Sequence, residues 1–250
     1  MVGTLNSQIL VEAIACSADD ARTATLAGAG RLEVCSAIAV GGLTPSVGTV
    51  AAIRKATGLP LMVMIRPRGS GFCYSTGEFD AMEREIEPLL AAGADGFVVG
   101  ILNEDGTIDA SRCRKLFERA PHVPFVCHRA FDATPDPFAA METLIEIGFR
   151  RILTSGQAPT ALEGTDVIHA LVERAAGRIE ILPGSGVRPG NAPHIVERTG
   201  VTQIHLGPFH DVSDRSIEGR KAAAEYGLTY GVADGESISA VVASVGGKKS

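Results

Sequence analysis

Short apolar runs rich in β-branched residues alternate, almost from end to end of the chain, with longer segments whose apolar residues recur at helical spacing. Eight of the short runs read as strands: Leu10–Ala15, Arg31–Cys35, Leu61–Arg66, Gly96–Leu102, Phe125–Ala130, Arg150–Ser155, Ile179–Pro183 and Gln203–Leu206. Strands that alternate with helices build βαβ units, and so a parallel sheet with helices packed on its outside.

Start and stop signals fix the phase of the helices. Ser17 with Asp20 has the form of a capping box, and Gly28 follows as a stop. Thr44 then Pro45, and Asp136 then Pro137, pair an N-cap with a first-turn proline, ended by Gly58 and Gly148. Ser75 with Glu78 opens a further helix, which Pro88 should kink or end. Ile238, Val241, Val242 and Val245 share one face of a last helix near Glu236–Val245. Eight βα units in 250 residues predict one TIM (β/α)8 barrel domain with its core over residues 9–206. An open doubly wound sheet would carry fewer strands, and no GxGxxG follows the first one. The segment Gly207–Ala233 lacks periodicity and is long for a connection, which predicts a lid, binding loop or interface. The GGKKS at 246–250 predicts a disordered tail.

Composition narrows the function more than the fold. A hydrophobic fraction of 45% with 21% charged residues is that of a soluble globular protein. The net charge of −6 argues against a nucleic-acid or anionic-membrane surface. No apolar run approaches the roughly 20 residues of a membrane span, and MVGTLNSQ lacks a signal-peptide pattern, so the reading is cytoplasmic. Five cysteines without a CxxC pair predict reduced thiols.

In a barrel of this kind the working face is the C-terminal end of the strands. Side chains alternate faces along a strand. RLEVC therefore sends Glu33 and Cys35 inward, and MVMIRPRG sends Met62, Met64 and Arg66 inward, with Arg68 in the following loop. Two arginines there predict an anion clamp; the alternative is a buried bridge from Arg66 to Glu33 or Glu12. Thr154, Ser155 and Gly156 end strand six as binding groups at the same mouth. Gly184, Ser185 and Gly186 precede a helix expected near Arg188, and His205 and Gly207 end strand eight, a set suited to cradling an anion, with a ligand-free glycine turn as the alternative. In FVCHRAFD, parity sends Cys127 outward and His128 inward, with Asp132 beyond the strand as a partner for His128 or Arg68.

Together, RLEVC, GGLTPS, VMIRPRG, FCYS, EDGTID, HRAFD, RILTSG and ALEG, in order from Arg31 to Gly164, resemble the CutC family of copper homeostasis proteins. The resemblance implies a cytosolic TIM barrel linked to copper handling, with Cu(I) bound through cysteines, and a soft ion suits thiolates. Cys35 matches the family's second-strand cysteine. Cys16 lies near the end of strand one, displaced from the usual position, where Ile14 stands. Cys73 and His128 are further candidate ligands.

Two readings of function follow, besides a scaffold that dimerises through its long loop. One is a copper-homeostasis protein holding Cu(I) at Cys35 and Cys16. The other is an enzyme of lyase, aldolase or isomerase type acting on a small anionic or phosphorylated metabolite, with Glu33, His128 and Asp132 as candidate catalytic groups. Either predicts a small-molecule or metal-ion ligand in a homodimer, with no nucleic acid and no membrane as partner.

Overall fold

The computed structural model describes residues 9–221 and 227–246. Eight parallel strands run β1 Leu10–Ala15, β2 Arg31–Val34, β3 Leu61–Met64, β4 Gly96–Val99, β5 Phe125–Cys127, β6 Arg151–Thr154, β7 Glu180–Pro183 and β8 Gln203–Leu206. The ladder order is β7-β6-β5-β4-β3-β2-β1-β8, and β7 lies against β8 to close the barrel. Several strands stop one to three residues before the apolar run does, because the chain turns out of the ladder as soon as it reaches the mouth.

Each strand is buried on both faces, which is why the sequence shows continuous apolar runs rather than alternation. Two cores result. The larger fills the space between strands and helices and includes Leu32, Val34, Phe97, Phe125 and Cys127. The smaller lies inside the barrel and consists of Cys35, Met62, Met64, Val98, Val126, Leu153 and Leu182, with Ile14 and Cys16 against it.

The outer helices are α1 Ala18–Leu26, α2 Val47–Ala56, α3 Thr76–Ala91, α4 Ala110–Arg119, α5 Pro137–Ile147, α6 Thr165–Ala175, α7 Ala192–Thr199 and α8 Gly235–Ser244. Ser75 and Glu78 form a reciprocal capping box, and Asp136 with Pro137 opens α5, which Gly148 ends in a left-handed conformation. Pro88 sits in the last turn of α3, which ends three residues later. Thr44 and Pro45 do not open α2. Ser46 caps it instead, and the Thr44 hydroxyl bonds both backbone groups of Arg66, pinning the β3 end to the loop after β2. That helix ends at Thr57, one residue before Gly58. The helix expected near Arg188 begins at Ala192.

The long connection after β8 contains an antiparallel hairpin, β9 Phe209–Ser213 with β10 Thr229–Ala233. Most of the expected tail, 247–250, lies outside the described residues. Among the described residues no helix is long and apolar enough to cross a membrane.

Candidate functional site

Inward-facing polar residues occupy two levels of the barrel. At the floor, where the strands begin, Arg31 pairs with Glu12 through Nε and donates to Gln203 Oε1 at 2.6 Å. Arg151 donates to the same Gln203 oxygen at 2.9 Å and pairs with Glu180 at 2.5 Å. Gln203 returns a bond to Glu180 at 3.0 Å. Charges this deep persist only when paired, and this ring pairs them.

Glu12 also links the floor to the mouth, because its second oxygen lies 2.8 Å from His205 Nδ1. Burial alone would raise the Glu12 pKa, but Arg31 and His205 outweigh it and hold the carboxyl at about 2. Burial would lower His205, yet the charge of Glu33 and the bond to Glu12 together raise it. For Glu33 burial wins: reinforced by the Glu12 charge, it pushes the carboxyl up to about 7 against the pull of His205 and Arg31. Among the described residues no hydrogen bond reaches Glu33 Oε2, which is buried. Polar atoms of Glu12, Glu33 and His205 all fall within 4.8 Å of one another, a spacing that could hold a metal ion. Arg31 and His205 already engage both Glu12 oxygens.

Above this level opens a cavity of about 670 Å3. Its polar lining is Glu33, Arg66, His128, Arg129, Ser185, Arg188 and His205, set among Ile14, Met64, Phe72, Leu153 and Leu206. Glu33, Arg66, His128 and His205 each expose 6% or less of their surface. Arg66 does not bridge to Glu33 or Glu12. Its guanidinium donates to the carbonyls of Val40, Gly42 and Ser70 at 2.7–2.9 Å and lies over the Phe72 ring. Burial raises the Tyr74 phenol above its ordinary pKa, and the neighbouring Arg66 charge draws it partly back.

His128 accepts the Ala130 N–H at Nδ1, which fixes the neutral tautomer with the proton on Nε2, and Nε2 has no partner among the described residues. Burial and the Arg66 charge lower this imidazole to about 3. Gly100 makes room for the ring: a Cβ there would stand 2.5 Å from His128 Cε1.

Several expected site residues lie outside the cavity lining. Arg68 is spent on Glu78 and on the carbonyls of Gly69, Gly71 and Cys73, so it braces a loop rather than clamping an anion. Asp132 meets neither His128 nor Arg68. It accepts bonds from Thr154 Oγ1, Ser155 N and Oγ, and Gln157 N, and it pairs with Arg129 at 2.8 Å. Thr154 and Ser155 thus face Asp132, and Gly156 crosses close to Gly164, where a Cβ would stand 2.4 Å from the Gly164 carbonyl oxygen. Gly184 lies behind the lining, against Leu153 and His205, whereas Ser185, Gly186 and Gly207 line the cavity. Asp132→Ala should cost about 2–3 kcal/mol, since it strands several buried donors at once. Urea unfolding checks this, and a loss below about 0.5 kcal/mol, the size of an ordinary surface change, would show that the knot is dispensable.

Arg129 and Arg188 were not expected in the lining. Parity along strand five points Arg129 outward, but β5 ends at Cys127 and a 3-10 turn over Arg129–Ala133 redirects the chain. Arg188 follows the glycine turn in ILPGSGVRPG, so its position at the mouth was available from the sequence.

Beside the cavity, Cys16 Sγ and Cys35 Sγ stand 4.0 Å apart at the ends of β1 and β2. The Cys35 contact lowers the Cys16 thiol below its ordinary pKa despite burial, and the same contact together with burial raises Cys35. Cys113 and Cys127 are buried in the outer core, and Cys73 is exposed in a loop.

The CutC family model matches residues 9–209. A family protein CutC of Treponema denticola is 46% identical over 222 residues, covering 89% of this chain and 90% of that protein. The copper homeostasis protein cutC homolog of Homo sapiens is 40% identical over 220 residues, covering 88% and 80%. A CutC crystal structure from Streptococcus agalactiae superposes with a TM-score of 0.76 at 37% identity, covering 80% of this chain and 98% of that one.

Proposed function

This chain belongs to the CutC family of copper homeostasis proteins, and from that premise we propose that it works in the cytosol by holding Cu(I) between Cys16 and Cys35. The observation that carries the reading is the 4.0 Å separation of the two sulfurs. A disulfide needs about 2.05 Å, so these are two thiols with a gap between them. The donor set fits the ion: Cu(I) is soft and prefers thiolate and thioether sulfur, and Met64 belongs to the same inner cluster. The displacement of the first cysteine from Ile14 to Cys16 keeps the inward parity of β1, so the thiol still faces its partner across the β1–β2 ladder.

Metal binding at thiols displaces protons. The Cys35 contact lowers the Cys16 thiol from its ordinary pKa, and that contact with burial raises Cys35. Five free cysteines support a reducing compartment.

Competition between the protein and a chromophoric Cu(I) chelator tests the reading. The wild type should take up one Cu(I) per chain, and Cys16→Ser and Cys35→Ser should each weaken uptake by at least 100-fold. Equal uptake by wild type and Cys35→Ser would remove the thiol pair as the site.

A further inference from the structure

The copper reading uses the two sulfurs and leaves the cavity beside them unexplained. The charge of that cavity opposes the charge of the chain. Three arginines and a single carboxylate line it in a protein of net charge −6. Arg66 and Arg188 have no carboxylate within ion-pair distance among the described residues, and the N–H groups of Ser185, Gly186 and Val187 find no protein acceptor there. Ser185 and Gly186 both adopt left-handed backbone conformations, φ +82° and +69°, which turn this loop across the mouth. The Arg66 guanidinium is held by carbonyls and Arg129 by Asp132, but among the described residues the Arg188 side chain and these N–H groups are left without partners at the mouth, which makes them the complement of an anion.

The deeper half asks for something else. Glu33 and His128 each carry a buried polar atom that nothing among the described residues satisfies, Oε2 and Nε2. Such atoms cost free energy unless a ligand meets them. Ile14, Met64, Phe72 and Leu153 form apolar walls around them, so the ligand has a carbon skeleton and is not an inorganic ion alone.

We propose that this cavity binds a small organic anion bearing a carbonyl group, and that Glu33 transfers a proton at the carbon next to that carbonyl. The acid group of the ligand lies toward Arg188 and the Ser185–Val187 backbone, with Arg66 and Arg129 adding charge. In the step, the C–H bond breaks and its proton passes to the Glu33 carboxylate. The C–H electron pair becomes the carbon–carbon double bond of an enolate, and the carbonyl π pair moves onto oxygen, where His128 Nε2–H donates to it. A neutral imidazole suits this role, because it stabilises the oxyanion without protonating it outright. Return of the proton to the same carbon restores the ligand; where that carbon also bears a hydroxyl, passage of the hydroxyl proton to the enolate oxygen and return of the carbon-bound proton to the former carbonyl carbon isomerises it, and neither route needs a co-reactant. Glu33 and His205 stand side by side, with polar atoms within 4.8 Å of each other, and the bond to Glu12 holds His205 in place.

The test is deuterium incorporation from D2O, followed by proton NMR on metal-free protein with a Cu(I) chelator present. Dihydroxyacetone phosphate and pyruvate serve as probes, and inorganic phosphate reports the anion subsite alone. At least one carbonyl probe should raise the melting temperature and lose its C–H signal at least 10-fold faster with wild type than with Glu33→Gln, which keeps binding. Arg188→Ala, an exposed position that leaves the core intact, should weaken binding at least 10-fold. Preference between the two carbonyl probes tells a phosphate end from a carboxylate end. The proposal is overturned if neither carbonyl probe binds at millimolar concentration, or if exchange persists in folded Glu33→Gln. Because copper is absent throughout, this outcome and that of the Cu(I) titration stand apart.

Discussion

Arg31→Met should lower the melting temperature by about 10 °C, the size expected when one partner of a buried pair is removed from a chain of this length. Arg31 exposes 6% of its surface and sits between Glu12 and Gln203 at the barrel floor. Methionine fills most of its volume but leaves the Glu12 charge facing a gap. The cost is that of an uncompensated charge, about 3–5 kcal/mol, and not that of the lost pair itself. A double variant separates the two. With Glu12→Gln added, no carboxylate is stranded and the amide oxygen can still meet His205 Nδ1, so more than half of the stability should return. If Arg31→Met alone melts within about 2 °C of wild type, the ring is not what holds the barrel floor.

The second large effect is one of pH. Glu33 is raised to about 7 from an ordinary 4.5, so between those values the native state holds a proton that the unfolded chain has released. Its contribution is fully present below pH 4.5 and is lost as pH rises through 7. His128 runs the other way. Lowered to about 3 from 6.5, it is neutral when folded and charged when unfolded, so its contribution is present above pH 6.5 and lost as pH falls toward 3. Between pH 4.5 and 6.5 the two slopes oppose each other, and wild-type stability should be nearly flat. Glu33→Gln removes one of them. Its stability relative to wild type should climb by about 3 kcal/mol from pH 4.5 to 7. Urea melts at four pH values measure this, and parallel curves for the two proteins would show that Glu33 carries no raised pKa.

The strands and their facing were legible because a parallel barrel buries both faces of each strand and alternation has period two. Glu33, Cys35, Met62 and Met64 inward and Cys127 outward all follow from that rule. The rule fails where ladders end. Arg68, Arg129, Asp132 and Thr154 sit at or beyond the last ladder residue, and there hydrogen bonds to loop carbonyls and hydroxyls decide the direction of a side chain. The floor ring had a signal that went unread: LVEAIA, RLEV, RILT, EILP and QIHL each place a charged residue or an amide at the first or third strand position, inward by parity. The approach of Cys16 to Cys35 depends on the stagger between β1 and β2, which pairs Ala15 with Val34, and no single-strand pattern contains a stagger.

The hairpin after β8 begins where the family match stops, at residue 209. Its base is fastened twice. Asp234 N–H donates to the Pro208 carbonyl, and Asp20, itself buried, accepts Ala233 N–H on one oxygen and Cys16 N–H on the other. With both ends of the segment closed at one point, residues added or removed within it change only the entropy of a loop already formed, and that cost grows with the logarithm of length. The length of the segment is thereby uncoupled from the geometry of the barrel beneath it. The same carboxylate that closes the base of the segment also positions the backbone of Cys16, so the tether of the hairpin and the fixed place of the first sulfur have a common origin.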